Sequence, residues 1–398
     1  MSKGNLLKKI KGSPIEKDTF VLPYDILFEI LIKVQVASLL RFKSISKSWN
    51  ALISDVVFTK AHRDLSKMLG CEKLLLRRST GEFDFVNLKN SNKITIEKQL
   101  FPPKGFLGAN VLCSCDGLVL LKKPKAYKKF VLWNPSSGEH RILECPYMKP
   151  HGYTYLYACG LCYDSTTNDY KVILIYWLFY AMYSTSKDSW TTKTTPRVLQ
   201  QCLYESELAL NSRSYMCSQG IANKNRVYWS VNQKLNYNVR KTCAFIDFDV
   251  TLDEFKEFPI PTSTSDHENF FRLSTLKGRL SAYGGNGYFN ELNIWIMKQD
   301  GWKWLMSICN IPTFYSEPSF SNYKLLCCTE NDDLIFQGPK HHILSIYCTK
   351  QKQFVSTTYI SNHLEYVFCP VDPICLDSLY FPKLNVTRKR KRRSTPSE

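Results

Sequence analysis

No apolar run in this 398-residue chain exceeds the twelve residues from Val172 to Tyr183. A bilayer-spanning helix needs about 20, so that stretch reads as a buried strand with its turn. An apolar leader is also missing. Met1 to Phe20 is polar and Lys-rich, which argues against a secretory signal, and a soluble protein with no membrane partner is expected. Cysteine itself is plentiful at 15 residues, but ordered cysteine spacing is not. An odd total cannot pair completely, and Cys113-x-Cys115, Cys159-x-x-Cys162 and Cys327-Cys328 each lack a second pair or a nearby His at zinc-ligand spacing. Reduced thiols, no metal and no cofactor are expected.

Catalytic patterns are missing as well. Asp332-Asp333 is the best adjacent carboxylate pair, yet neighbours on a strand face opposite ways and cannot share a substrate. Tyr283 to Tyr288 is glycine-rich but lacks the Lys-Ser/Thr end of a phosphate loop, and reads as a hairpin turn. His341, His342 and His363 form no HExxH motif, and no GxSxG elbow occurs. The expectation is a protein without catalytic activity.

The formal charge of +18 invites a nucleic-acid reading, so its distribution matters. Six of the charges are a single run, Arg388-Lys389-Arg390-Lys391-Arg392-Arg393, and three more are net in the first twenty residues. The remainder is spread without an evident stripe, so a solvated basic surface is expected and nucleic acid is not the expected partner.

What is present divides in two. From Leu22 to Phe58 the apolar residues follow helical spacing. Pro23 suits a first helical position, and Leu22, Ile26, Leu27, Ile30, Leu31 and Val34 then recur at helical spacing, too many for one face. Ser38 is the candidate cap of a second helix carrying Leu39, Leu40, Phe42 and Ile45, and Trp49, Leu52 and Ile53 mark a third. A unit this small rarely buries enough surface to stand alone, so part of its apolar surface is expected to face a partner.

From residue 74 onward short Val/Ile/Leu/Tyr/Phe/Trp strands alternate with Gly, Asn, Asp and Ser turns. Two kinds of hairpin recur. Turns at Cys115-Asp116-Gly117, Asn168-Asp169, Asn223 to Arg226, Lys277-Gly278 and Asn331 to Asp333 lead into apolar inner strands. Outer hairpins are expected over Val131–Leu143, Leu203–Met216, Phe245–Phe258, Leu292–Leu305 and Leu344–Val355. Such units must bury their faces against one another, the logic of a β-propeller. Leu74 to Val86, with Tyr366 to Phe368 or Leu376 to Tyr380, could close a sixth blade. Tyr183 to Pro196 reads as an exposed insertion, long enough to cover an opening.

The helical stretch resembles the F-box in the order of its elements: Leu22-Pro23, Asp25, Glu29-Ile30-Leu31, Ser38 to Phe42, Lys47-Ser48-Trp49 and Leu52-Ile53. The β region resembles the F-box-associated, Kelch-like domains of plant F-box proteins through Cys115-Asp116-Gly117-Leu118, Trp133 to Glu139 and Gly160 to Asp164 with Asn168 to Val172. The expected fold class is therefore α+β multidomain, a three-helix F-box followed by an all-β propeller of about six blades. Expected boundaries are a basic flexible N-terminus at 1–19, the F-box at 20–60, a linker at 61–73, the β domain at 74–385 and a basic tail at 386–398.

The resemblance implies docking on a Skp-family adaptor, with cullin and RING subunits held through it and an unknown protein substrate on the β domain. Adaptor contact or its support would fall to Leu22, Pro23, Ile26, Leu27, Ile30, Leu31, Leu39, Leu40, Phe42 and Trp49. Gln35 stands where the family often has Pro, and Ser44-Ile45-Ser46 where it often has cysteines, departures that weaken such docking without abolishing it. A propeller binding glycans or proteins outside any ligase is the alternative.

The terminal basic run fits a nuclear localisation signal, for a protein of nucleus and cytoplasm, and fits equally a solvated tail with no receptor. Residues 380–398 fused to a reporter should enrich it in the nucleus if the first holds, and leave it evenly distributed if the second does.

Overall fold

The computed structural model describes residues 22–87, 95–123, 126, 128–147, 156–197, 199–200, 218–234, 240–261, 269–286, 291–309, 323–329, 331–338, 343–359 and 374–384. The basic run Arg388 to Arg393, the expected hairpin over 203–216, the expected strand at 366–368, and His341, His342 and His363 lie outside them.

Four helices open the described chain: α1 (Tyr24–Leu31), α2 (Val36–Phe42), α3 (Lys47–Ile53) and α4 (Val56–Met68). The expected cap at Ser38 is displaced, because α2 already begins at Val36 with Gln35 in the capping position. Ser46 caps α3 by accepting the Trp49 N–H at 3.2 Å. Asp55 caps α4, its carboxylate accepting the Val57 N–H at 2.7 Å. This fourth helix corrects both the three-helix expectation and the linker expected over 61–73. Its buried face is Phe58, Thr59, His62, Arg63 and Ser66, helically spaced but mostly polar, so apolar periodicity could not reveal it. The helices enclose a small core of Leu31, Val36, Leu39, Leu52, Ile53 and Phe58, which Leu379 from the far end of the chain completes.

Six antiparallel sheets follow among the described residues. Blade 1 holds β1 (Glu72–Arg77), β2 (Phe83–Asn87) and β3 (Thr95–Leu100). Blade 2 holds β4 (Asn110–Cys115), β5 (Leu118–Lys122), β6 (Lys129–Trp133) and β7 (His140–Glu144). Blade 3 holds β8 (Ala158–Asp164), β9 (Asp169–Ile175), β10 (Phe179–Ser184) and β11 (Ser189–Thr194), with the short β12 (Ser218–Gln219) parallel to β8. Blade 4 holds β13 (Ile221–Asn223), β14 (Arg226–Lys234), β15 (Arg240–Asp249) and β16 (Glu254–Phe258). Blade 5 holds β17 (Asn269–Leu276), β18 (Arg279–Asn286), β19 (Glu291–Lys298) and β20 (Gly301–Cys309). Blade 6 holds β21 (Lys324–Cys328), β22 (Leu334–Gln337), β23 (Ile343–Cys348) and β24 (Gln353–Tyr359). Finally β25 (Ile374–Leu376) pairs with β1 as the innermost strand of blade 1, so the two ends of the propeller share one sheet.

The outer hairpin of blade 3 is β10–β11, with Tyr183 opposite Trp190, which corrects the reading of Tyr183 to Pro196 as an insertion. β11 is an edge strand of Ser, Thr and Lys around the single Trp190, with an almost wholly exposed pattern, so it lacks the apolar alternation that marks a strand. Tyr283 to Asn286, expected to form a turn, belong to β18.

The core is divided among the seams between blades. Phe83 and Phe85 of blade 1 meet Val119, Val131 and Trp133 of blade 2, with the Phe83 and Trp133 ring centroids 5.7 Å apart. Leu120 and Leu132 meet Leu161, Val172 and Leu174 at the next seam. Leu74 and Val86 meet Leu326, Ile335 and Leu344 where blade 6 returns to blade 1. Each such side chain, fully buried, contributes about 1.5–3 kcal/mol, and a single blade has no other place to bury both faces.

The ten described hairpin turns at one end of the ring each contain a residue at positive φ. These are Asp116, Gly138, Asn168, Asp188, Lys224, Asp253, Lys277, Gly301, Asp332 and Lys352. Asn, Asp and Gly tolerate that conformation best, which explains the sequence signal at these turns. The helices sit on this same end, here the turn face, with the Lys67 ammonium 2.7 Å from the Asp116 carboxylate.

Between blades 3 and 4 the buried Asp164 meets the Lys171 ammonium at 2.9 Å, and Lys171 also donates to the Val250 carbonyl at 2.7 Å. Burial alone would raise the Asp164 pKa, but Lys171 and the Thr167 hydroxyl hold it down, to about 2. Because the folded value lies below the ordinary 3.8, the stabilisation is complete above that pH and is lost as pH falls towards 2. Asp164→Asn should cost about 3 kcal/mol at pH 7 by leaving Lys171 uncompensated. In denaturant titrations the gap between wild type and variant should shrink towards pH 2.

Candidate functional site

The ten residues expected at the adaptor surface separate by burial. Leu22, Ile26 and Ile30 are 49, 48 and 49% exposed. Ile26 and Ile30, one helical turn apart, form an exposed stripe on α1, with Leu22 and Pro23 exposed just ahead of the helix. Asp25, Glu29 and Lys33 flank Ile26 and Ile30 around a shallow depression. Leu31 and Leu39 are core, and Leu27, Leu40, Phe42 and Trp49 are partly buried against that core. Phe42 and Trp49 meet edge to face at 5.4 Å, a contact that fixes α3 against the end of α2. The stripe is thus an apolar surface on a helix whose opposite face is already packed.

Arg63 joins the helices to the propeller. Its guanidinium lies 4.7 Å from the Tyr163 ring centroid and 4.9 Å from that of Tyr380. One nitrogen donates to the Tyr170 hydroxyl at 2.9 Å, and the others reach the Asp64 carboxylate at 2.7 and 2.8 Å. Tyr170 in turn donates to Asp116 at 3.1 Å, the carboxylate that Lys67 also holds. Burial opposes the Arg63 charge, but Tyr170, Asp64 and Asp116 outweigh it and raise its pKa further. Burial and the Asp116 charge push the Tyr170 phenol well up, so it stays a hydrogen-bond donor. His62, buried one residue earlier, meets the Val34 carbonyl at 3.0 Å; burial lowers its pKa and keeps the ring neutral.

The chain's last described segment completes this junction. Asn134, wholly buried, accepts the Ser136 and Ser137 N–H groups at 2.8 and 3.1 Å, closing its own turn. Its amide donates to the Ser378 and Tyr380 carbonyls, both at 2.9 Å. Lys383 reaches the Ser54 carbonyl at 3.2 Å.

A cavity of about 970 Å³ lies on the propeller axis, walled by Ser114, Cys115, Gln219, Ser274, Leu325 and Ile374 of the inner strands, with Lys67 and Glu72 beside it. Burial raises the Glu72 pKa against the pull of Lys67. The Cys115 and Cys162 thiols near this end are pushed up by burial and then by Asp116, Cys162 to about 12. They are thiols rather than thiolates at neutral pH, poor nucleophiles and poor metal ligands. Among the described residues no group of three or more His, Cys, Asp or Glu is placed to hold a metal ion.

The family model for the F-box domain matches residues 20–61, and that for the F-box associated beta propeller domain matches residues 80–385. The chain belongs to the F-box associated propeller family. It is similar to an F-box/kelch-repeat protein of Arabidopsis thaliana, 25% identical over 319 residues that cover 74% of this chain and 81% of that one. A second Arabidopsis F-box protein is 25% identical over 314 residues, covering 69% of each chain. Among solved structures, a chain of the nidogen/laminin complex aligns over 72% of this chain and 93% of its own at TM-score 0.40 and 9% identity, too distant to carry any argument.

On α4, just beyond the F-box match, the residues that sequence reasoning missed are His62, Arg63 and Lys67. Thr59, His62, Arg63 and Ser66 do follow helical spacing, a signal visible only when polar residues are allowed as a buried face. Arg63→Leu should cost on the order of 3 kcal/mol, through lost charged hydrogen bonds and ring contacts. The F-box should then separate from a folded propeller, giving two thermal transitions in place of one and a larger radius in solution scattering.

Proposed function

We propose that this protein is the substrate-recognition subunit of a Skp-cullin-F-box ubiquitin ligase. The observation that carries the reading is the stripe of Leu22, Ile26 and Ile30, half-exposed on an F-box whose core is otherwise complete. Two large aliphatic side chains on one helix face, with Leu22 just ahead of the helix, are an apolar surface in want of a partner, and further burial of each contributes about 1 kcal/mol. A Skp-family adaptor is the partner that the F-box implies, with cullin and RING subunits joined through it. The propeller holds the protein to be modified, and ubiquitin transfer belongs to the partner subunits.

The Arg63 junction supports the same reading. A receptor that presents a substrate to a separate catalytic subunit gains from a fixed geometry between its two ends, because positioning sets the rate of transfer. Here the F-box and propeller share a buried cation, two ring contacts and a common apolar core at Leu379.

Ile26→Asp with Ile30→Asp places two charges on the exposed stripe and should abolish co-purification with a Skp-type adaptor and cullin. The double variant should keep the wild-type thermal transition, since neither side chain belongs to the core. Leu31→Asp should instead melt the helices. Adaptor binding retained by the folded double variant would sink the assignment.

A further inference from the structure

The end of the propeller opposite the F-box carries a concentrated positive charge around blades 1 and 2. The nine-residue link 101–109 between β3 and β4 lies at its centre. On one side the link touches the β1–β2 turn: a Cβ on Gly81 would lie 2.6 Å from the Gly108 nitrogen and 3.0 Å from the Leu107 side chain. On the other side a Cβ on Gly105 would lie 3.9 Å from the Lys123 ammonium at the end of β5. The three segments therefore form one continuous surface.

Its charge is positive on balance: Glu82 lies on the first link and Arg78 pairs with the buried Asp84 at 2.8 Å, but the cations outnumber these carboxylates. Among the described residues no carboxylate pairs with Lys104, Lys122 or Lys123, and Arg77 is bonded to neutral oxygens alone, those of Gly108, Ala109 and Asn110. Lys128 and Lys129 share the single carboxylate of Glu144, at 3.8 and 3.3 Å. Two large apolar side chains stand among these cations, Phe101 at 68% and Leu107 at 58% exposure. On the turn face the charges are mixed: its tight turns hold Asp116, Asp188, Asp253 and Asp332 at positive φ together with Lys224, Lys277 and Lys352.

From this we infer that the surface formed by residues 78–82, 101–109, 122–123 and 128–129 is the docking site for an acidic protein segment, Asp/Glu-rich with one or two large apolar residues. The carboxylates would meet Lys104, Lys123 and Lys128, and the apolar residues would cover Phe101 and Leu107. Charge complementarity at a rim with an apolar centre is the usual division of labour in protein recognition. The opposite end is taken up by the helices, so this face stays open when an adaptor is bound. The assignment rests on the receptor reading and names the chemistry of what that receptor takes.

The test uses the full chain and a display library of random twelve-residue peptides, selected on wild type and on the Lys104→Glu, Lys123→Glu, Lys128→Glu variant. Wild type should enrich peptides with Asp or Glu beside Leu or Phe, and individual peptides should bind the variant at least tenfold more weakly and weaken with added salt. A Phe101→Ser, Leu107→Ser variant should keep the acidic preference and lose the apolar one. Both variants should retain adaptor co-purification, so failure here is separable from failure of the ligase assignment. Selected peptides no more acidic than the input, equal affinity for wild type and the charge-reversed variant, or saturable binding confined to a DNA duplex or phosphatidylserine vesicles would each overturn the inference.

Discussion

The structure depends on three residues. Ile374, Cys375 and Leu376 form the strand that pairs with β1 and gives blade 1 its inner edge. A propeller left open exposes a strand edge and an unburied seam, here the one shared by Leu74, Val86, Leu326 and Leu344. Closure also leads the following residues across the turn face, and there they do a second job. Asn134 grips their backbone at Ser378 and Tyr380, Leu379 enters the F-box core, and the Tyr380 ring covers Arg63. Ring closure and F-box seating thus draw on one segment, residues 374–384.

The Arg63 site shows how a polar junction can be rigid. A guanidinium taken out of water is unfavourable unless its charge and donors are satisfied. Here the Asp64 carboxylate, the Tyr170 hydroxyl and two aromatic faces provide that, and Asp116 links the network to Lys67 on the same helix. Apolar contact alone would let the F-box slide; hydrogen bonds with fixed directions hold it in one orientation. The cost of a misfit is high in such a network, which is what makes it specific.

The two ends of the ring differ in what their connections demand of the backbone. Tight turns at the F-box end need residues that accept positive φ, and Asp serves there at Asp116, Asp188, Asp253 and Asp332. At the other end the link 101–109 carries Lys104 with the exposed Phe101 and Leu107.

Much of this was legible in the amino-acid order. Helical spacing from Leu22 to Ile53 and the Asn/Asp/Gly turns before apolar strands determine the two-part plan, because periodicity and turn chemistry are local properties. The six blades and the resemblance of Trp133 to Glu139 to an F-box-associated domain followed from the same local signals. Local signals failed where burial is polar or where an edge is exposed: α4 buries Thr59, His62, Arg63 and Ser66, and β11 exposes Ser and Thr. Which of Leu22, Ile26, Leu27, Ile30 and Leu31 face outward was likewise undetermined, since one apolar stripe serves a core and an interface equally well. Only the tertiary structure decided that, by filling the core from Leu379, a residue more than three hundred positions away. The sequence by itself settles what each segment can form; which surfaces are left over depends on partners brought together by chain closure, and no local pattern encodes them.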